Sequence, residues 1–334
     1  MIIARSPVRI TLGGGGTDLP SYYSKYGGAL IAAGIDKYTY VTAYTRLFDE
    51  TVKLNYSVTE MVTNLNDIQH NIFREALRFV NITHSIELTS LSDIPARTGL
   101  GNSGSFAVSL LNSLHAYKRE FVSQKQLADE ACHLEIEVLK EPVGKQDQYM
   151  GAFGGLTSLS FAKDGSVTVE PVHMNHESRD ELEHNIILFY TGITRSASSI
   201  LKEQDQKSKK KDATTLDTLH EIKKIGVDTK KAFEQGNIDK FGELLDVHWT
   251  MKKQLSQGVS NPFIDECYDL ARKNGALGGK IMGAGGGGFF MFYHSGNNNE
   301  KTKFVQTMTK KGLQKMRFRF DYEGSKILLN MKND

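Results

Sequence analysis

Apolar and β-branched residues crowd positions 2–12, 29–46 and 51–57, which predicts a strand in each. A polar, glycine-rich gap at 13–20 separates the first two. Over 67–80 the pattern changes. Ile68, Ile72, Phe73, Leu77 and Val80 recur at three- and four-residue steps, the spacing of a helix with one buried face. A further strand is predicted at 84–91, then a polar loop at 92–101, then two consecutive helices over 102–117 and 124–139. Short strands are predicted at 155–161, 167–172 and 185–191.

Beyond position 191 long helical patterns take over, at 196–211, 213–235, 239–257 and 262–273. The end returns to strand-like runs around 283–288, a helix over 300–313 and a strand pair within 318–329. This change near 175–195 divides the chain into two expected domains, 1–180 and 181–334. The expected fold class is α+β. No internal repeat occurs, and the one low-complexity tract is the charged stretch 202–212, read as a solvated helix face or a mobile segment.

The 334 residues suit two domains at about 150 residues each. Lys plus Arg (41) nearly balance Asp plus Glu (39), so no molecule-wide field favours nucleic acid or an anionic membrane surface. Arg5 and Arg9 interrupt the apolar opening stretch that a signal peptide needs, and no apolar run approaches a membrane span. Two distant cysteines, Cys132 and Cys267, exclude a disulfide framework and a cysteine-type zinc site. The expectation is a soluble, cytoplasmic protein in a reducing compartment. The ten histidines show no metal-ligand spacing.

The 31 glycines exceed average usage of about 7% and are clustered. LGGGGTD at 12–18 follows a strand, GLGNSGS at 99–105 opens a helix, and GAGGGG at 283–288 lies between strand-like runs. Such loops let backbone N–H groups converge on an anion. Gly99, Gly101 and Gly104 match GxGxxG, but Pro95 intervenes before the loop and a helix fills the window where a dinucleotide fold needs its second strand. Gly279-Lys280 fails as a P-loop, with Asn274 at the first glycine position and Ile281 in place of Ser or Thr. No protein-kinase motif set follows the third loop. The sound reading is a helix N-terminus at 99–105 that offers free N–H groups to a polyphosphate and a hydroxyl to Mg²⁺.

With PVRI at 7–10 ahead of the first loop, PARTGLGNSGS at 95–105 and KIMGAGGGG at 280–288, the chain resembles the GHMP kinase superfamily in all three of its motifs, in order. GGGGTDLPSYY and VGKQDQYMGAFGG resemble the bacterial heptose kinases that phosphorylate D-glycero-D-manno-heptose 7-phosphate at the anomeric position, with L-fucokinases as near relatives. The resemblance implies an N-terminal domain like ribosomal protein S5 domain 2, a ferredoxin-like C-terminal domain, ATP and Mg²⁺ as cofactors, and a sugar phosphate bound between the domains. It further implies a role in making nucleotide-activated heptose for polysaccharide. A homodimer is one candidate assembly.

Residue by residue, Asp147 aligns with the family's catalytic aspartate and Arg9 with the arginine that stabilises transferred charge. Residue type alone leaves Asp147 open between that role and a capping or surface one. Pro95, Gly99, Leu100, Gly101, Asn102, Ser103, Gly104 and Ser105 carry the implied ATP contacts. Gly13, Gly14, Gly15, Gly16, Thr17, Asp18, Lys280, Gly283, Gly285 and Gly286 carry the implied substrate contacts. Ser103 and Glu135 align with the Mg²⁺ ligands, with Glu137 as the fallback, and Lys145 is read as exposed.

Three departures stand out. Gly15-Gly16 replace the Glu-His type of pair found in galactokinases, and the expectation is that they open room beyond C6 for a 7-phosphate held by amides and a nearby cation. Arg97 and Arg195 are candidate phosphate partners or surface residues. Asn102 stands for the first Ser of the usual GLGSS, and Met282 for a Thr or Ser.

Overall fold

The computed structural model describes residues 1–194, 198–210 and 212–331, so Arg195 lies outside the described residues. Among the described residues eight strands form the first sheet: β1 (Ile2–Gly13), β2 (Gly28–Thr45), β3 (Val52–Asn55), β4 (Thr59–Val62), β5 (Ile86–Ser92), β6 (Leu156–Phe161), β7 (Val167–Pro171) and β12 (Lys326–Asn330). The second sheet holds β8 (Ile186–Tyr190), β9 (Gly278–Ile281), β10 (Phe289–Tyr293) and β11 (Gln314–Met316), in the order β11-β8-β10-β9. The helices are α1 (Pro20–Tyr26), α2 (Asn71–Phe79), α3 (Asn102–Lys118), α4 (Gln124–Cys132), α5 (Gln146–Phe153), α6 (His176–Asn185), α7 (Ser198–Lys209), α8 (Ala213–Glu234), α9 (Ile238–Leu255), α10 (Pro262–Lys273) and α11 (Asn298–Lys310).

β2 organises the first sheet. Along one edge it pairs with β6 over 28–33 and with β5 over 39–45, while its other edge carries β1. β1 is buried without alternation from Ser6 to Gly13, as a strand covered on both faces must be. Its register shifts between Pro7 and Val8, where the missing proline N–H is tolerated, and Arg9 follows directly.

One core packs the first sheet against α2 to α5 through Phe73, Leu77, Phe106, Leu110, Leu127 and Met150. A second joins the two halves, with Val8, Ile10 and Leu12 of β1 meeting Leu188, Phe233, Phe241 and Met291. A third lies under α10 and α11, around Trp249, Phe290, Phe292 and Phe304. A division at 180/181 therefore falls inside α6, and the chain returns to the first sheet through β12, antiparallel to β1. The strand pair expected within 318–329 does not form. β11 and β12 join different sheets, β11 pairing with β8 and β12 with β1.

The charged stretch at 202–212 is not wholly solvated. α7 buries Gln204 and Ser208 on one face, and Ser208 Oγ donates to the carbonyl of Ser21 in α1. Among the described residues no helix is long and apolar enough to cross a membrane.

Candidate active site

Between the two halves lies a cavity of about 530 Å³. All three glycine loops reach it. The second loop ends at Gly101, whose φ of +81° suits the left-handed turn that starts α3. The first intrahelical bond there is from Ser105 N to Gly101 O, so the N–H groups of residues 102–104 have no intrahelical acceptor. Gly101, Asn102 and Ser103 line the cavity, and α3 directs its positive end into it. Asn102 is held back from the opening: its Oδ1 accepts hydroxyl bonds from Thr39 and Ser92, both 2.8 Å.

Ser103 faces Glu135. Its hydroxyl donates to Glu135 Oε1 at 2.5 Å, and Gln148 Nε2 donates to Oε2 at 2.7 Å. Glu135 sits in a widened π-helical turn, His133–Val138, that continues α4 where a regular helix to 139 was expected; such turns re-aim side chains near functional sites. The carboxyl is 2% exposed, and burial pushes its pKa up to about 7 against the two hydrogen bonds. A buried carboxylate beside a hydroxyl, with no cation paired to it among the described residues, fits a hard divalent ion whose remaining ligands come from phosphate and water. Glu137 instead points to solvent and pairs with His133.

Asp147 stands in the first turn of α5. Arg9 Nε and Nη2 both donate to Asp147 Oδ1, at 2.9 and 2.6 Å, and Arg9 Nη1 donates to the carbonyl of Gly99 at 2.6 Å. Oδ2 accepts no hydrogen bond among the described residues, and the carboxylate lines the cavity. Two residues 138 positions apart are thus locked together beside the N-terminus of α3.

The first loop divides its roles. Gly15, Gly16 and Asp18 line the cavity. Gly13, Gly14 and Thr17 stand behind it: Thr17 Oγ1 donates to the carbonyls of Gly14 and Ala29, fixing the loop to β2. The Gly16 N–H is spent on Asp18 Oδ1 at 3.1 Å, so it is not open to a phosphate. Asp18 also accepts from the backbone and side chain of Gln146, and burial raises its pKa. Gly144, which spacing did not single out, passes so close that an added Cβ would lie 1.9 Å from Asp18 Oδ2.

In the third loop the glycines serve packing more than access. Gly283 lines the cavity, yet its Cβ position lies 2.5 Å from Gly99 Cα, so the second and third loops touch backbone to backbone. Gly286 N donates to Val259 O, and Gly285 abuts the same residue; neither faces the cavity. Lys280 does face it, 2% exposed, as do His248 and Lys252 of α9, which no motif marked. Leu100 and Ser105 are buried supports, the latter donating to the Pro7 carbonyl, while Gly104 packs on Asp147 and Pro95 accepts from Thr98. Arg97 lines the cavity, and Lys145 is tied to the Gly165 carbonyl.

The family model described as the GHMP kinases N terminal domain matches residues 70–155, and that described as GHMP kinases C terminal matches 229–306. D-glycero-alpha-D-manno-heptose 7-phosphate kinase of Campylobacter jejuni is 32% identical over 295 residues, 85% of this chain and 86% of that protein. L-fucokinase/L-fucose-1-P guanylyltransferase of Bacteroides fragilis is 27% identical over 322 residues, 85% of this chain and 34% of that protein. A crystal structure of a D-glycero-D-manno-heptose 1-phosphate kinase from Bacteroides thetaiotaomicron is similar with a TM-score of 0.81 at 25% identity, covering 99% of this chain and 100% of the other.

Proposed function

The chain belongs to the GHMP kinases, and on that premise we propose that it transfers the γ-phosphoryl group of ATP to the anomeric hydroxyl of D-glycero-D-manno-heptose 7-phosphate, giving the 1,7-bisphosphate. The observation that carries the reading is the Arg9–Asp147 pair beside the unsatisfied N–H groups of α3. With Oδ1 held by Arg9, Asp147 presents Oδ2 to the acceptor hydroxyl. That oxygen orients the hydroxyl for in-line attack and accepts its proton as the new P–O bond forms and ADP leaves. Arg9 offsets negative charge as it moves from the γ-phosphate to the leaving oxygen.

Ser103 and Glu135 would hold Mg²⁺, which neutralises phosphate charge when bound. The N–H groups at the start of α3 receive the nucleotide phosphates. Asp18, locked by Gln146 and Gly16, is an acceptor for sugar hydroxyls, and Gly15-Gly16 leave the adjoining wall without side chains. A cytoplasmic location belongs to this reading, since both cysteines are free and ATP is required.

The similarity to the Bacteroides fragilis protein favours one second reading, an L-fucokinase. ATP consumption with Mg²⁺ is the test, across heptose 7-phosphate, free heptose, L-fucose, mannose, galactose and mevalonate. Turnover confined to the phosphorylated heptose, with a new anomeric phosphate by phosphorus NMR, is the expected result. Preference for L-fucose would move the substrate and keep the chemistry, and turnover of none would overturn the kinase reading.

A further inference from the structure

Three cations, Lys280, Lys252 and Arg9, line the cavity beside the third loop. Lys280 of β9 lies with its Nζ 3.2 Å from Nδ1 of His248, and both side chains are nearly inaccessible. One turn along α9, Lys252 Nζ donates to the carbonyls of Ile281 and Gly283, at 2.7 and 2.6 Å. Arg9 of β1 is the third cation, and its charge is shared with Asp147. The carboxylates on the cavity wall, Asp18, Glu135, Glu141 and Asp147, all come from the first half of the chain. Neither lysine has an ion pair among the described residues.

Burying ammonium groups without a counter-charge is unfavourable. Burial, then the charges of Lys252 and Arg9, hold Lys280 well below the usual lysine range. Burial and Arg9 push Lys252 down to about 7, and burial with both lysines keeps His248 a neutral imidazole. No carboxylate from β1, β9 or α9 opposes these effects. An anion entering the cavity would supply the counter-charge that these groups lack.

We propose that Lys252 and Lys280 form a subsite for a phosphoryl group, with Lys252, which lies outside all three glycine loops, as its principal donor. Two of the three Lys252 N–H groups are anchored on the carbonyls of Ile281 at the end of β9 and Gly283 in the third loop, which aims the remaining one and fixes the charge in place. His248 packs at 3.2 Å behind Lys280 and, unprotonated, accepts from it rather than repelling it. The occupant is either the γ-phosphoryl group of the nucleotide or the phosphate already on the sugar. Its assignment between these rests on the proposed kinase reaction; the existence of the subsite does not.

Calorimetric titrations of the wild type, Lys252→Met, Lys252→Arg and Lys280→Met, in two buffers of different ionisation enthalpy near pH 7, test this. The probes are sulfate, a tetrahedral dianion that does not titrate there, ATP with Mg²⁺, heptose 7-phosphate and free heptose. Sulfate should bind the wild type with proton uptake, because the depressed lysines become fully charged, and Lys252→Met should weaken it about tenfold or more and reduce the uptake. Lys252→Arg should retain binding with a smaller uptake than the wild type. Thermal melting confirms that each variant is folded, and Lys280→Met supplies the second test if Lys252→Met is not.

Uptake with ATP assigns the subsite to the transferring group, and uptake with heptose 7-phosphate but not free heptose assigns it to the sugar's phosphate. Unchanged sulfate affinity and proton count in both folded Met variants would overturn the subsite. Failure of the heptose arms alone would instead remove the proposed substrate and leave the subsite standing.

Discussion

Gly104 of α3 lies against Asp147 of α5 so closely that an added Cβ would sit 2.6 Å from the Asp147 Cβ and 2.9 Å from its carbonyl carbon. The contact fixes how near the aspartate stands to the N–H groups that open α3, because nothing larger than hydrogen fits between the helices. The same residue is the last glycine of GxGxxG. Here that glycine serves helix–helix approach and does not itself line the cavity.

Gly104→Ala is therefore expected to push α5 away from α3. Overpacking of this kind costs about 1–3 kcal/mol of stability. Moving Asp147 by even about 1 Å should lower kcat about a hundredfold. A melting curve and steady-state kinetics check both effects, and a variant with wild-type kcat would show that this contact does not set the position of Asp147.

Asp147→Asn keeps shape and one acceptor for Arg9, and removes the charge that Oδ2 presents to the cavity. Turnover should fall by about 10²–10⁴-fold while affinity for ATP with Mg²⁺ stays within about threefold. Single-turnover kinetics beside nucleotide binding separate the two. Loss of nucleotide affinity with turnover intact would reverse the assigned role.

Much of this architecture is legible in the pattern of apolar residues, and the reasons for the exceptions are physical. α10 runs from Pro262 to Lys273 as its spacing predicts, because an N-cap Asn261, a proline in the first turn and one apolar face all agree. α5 carries Asp147 yet shows no helical spacing. It has eight residues and is buried along Gln148–Ala152, so no polar face alternates with an apolar one. The partnership of Arg9 with Asp147 is legible only through motif resemblance, since β1 and α5 meet through the tertiary fold. His248 and Lys252 look like ordinary residues of an amphipathic helix; only the packing of α9 under the third loop turns them toward the cavity. The glycines of the three loops are alike in sequence and differ in cause, some opening the wall and others, such as Gly99 and Gly283, letting two backbones touch.

Gly144→Ala tests the proposal that Asp18 lies on the sugar's side of the cavity. Its Cβ would lie 1.9 Å from Asp18 Oδ2 and 2.4 Å from Cγ, so Asp18 must turn away or the 143–146 backbone must shift. Either movement breaks the hydrogen bond from Gln146 N to Asp18. The expected outcome is a rise of about tenfold in KM for the sugar, from loss of an aligned charged acceptor, with the KM for ATP little changed. Equal rises in both constants would mean that Asp18 does not belong to the sugar's side.

His115 gives the fold a pH dependence that does not involve the chemistry. Its Nδ1 pairs with Glu120 and its Nε2 with Glu130, both at 2.7 Å, which clamps the end of α3 to α4. Both ring nitrogens face carboxylates, so the imidazolium is the form that satisfies the site. The hydrogen bond to Glu130 raises the pKa most, Glu120 adds to it, and burial opposes both. A folded pKa above the unfolded value of about 6.5 means that the full contribution to stability is present below that pH. The contribution is lost as pH rises through the raised folded value. Melting temperature should accordingly decline across that window in the wild type and decline less in His115→Gln, which cannot charge. His115 lies twelve residues along α3 from Ser103, about 18 Å at the helical rise, so the pH profile of kcat below the melting range should be the same in both proteins. Parallel melting profiles would show that His115 does not titrate with folding.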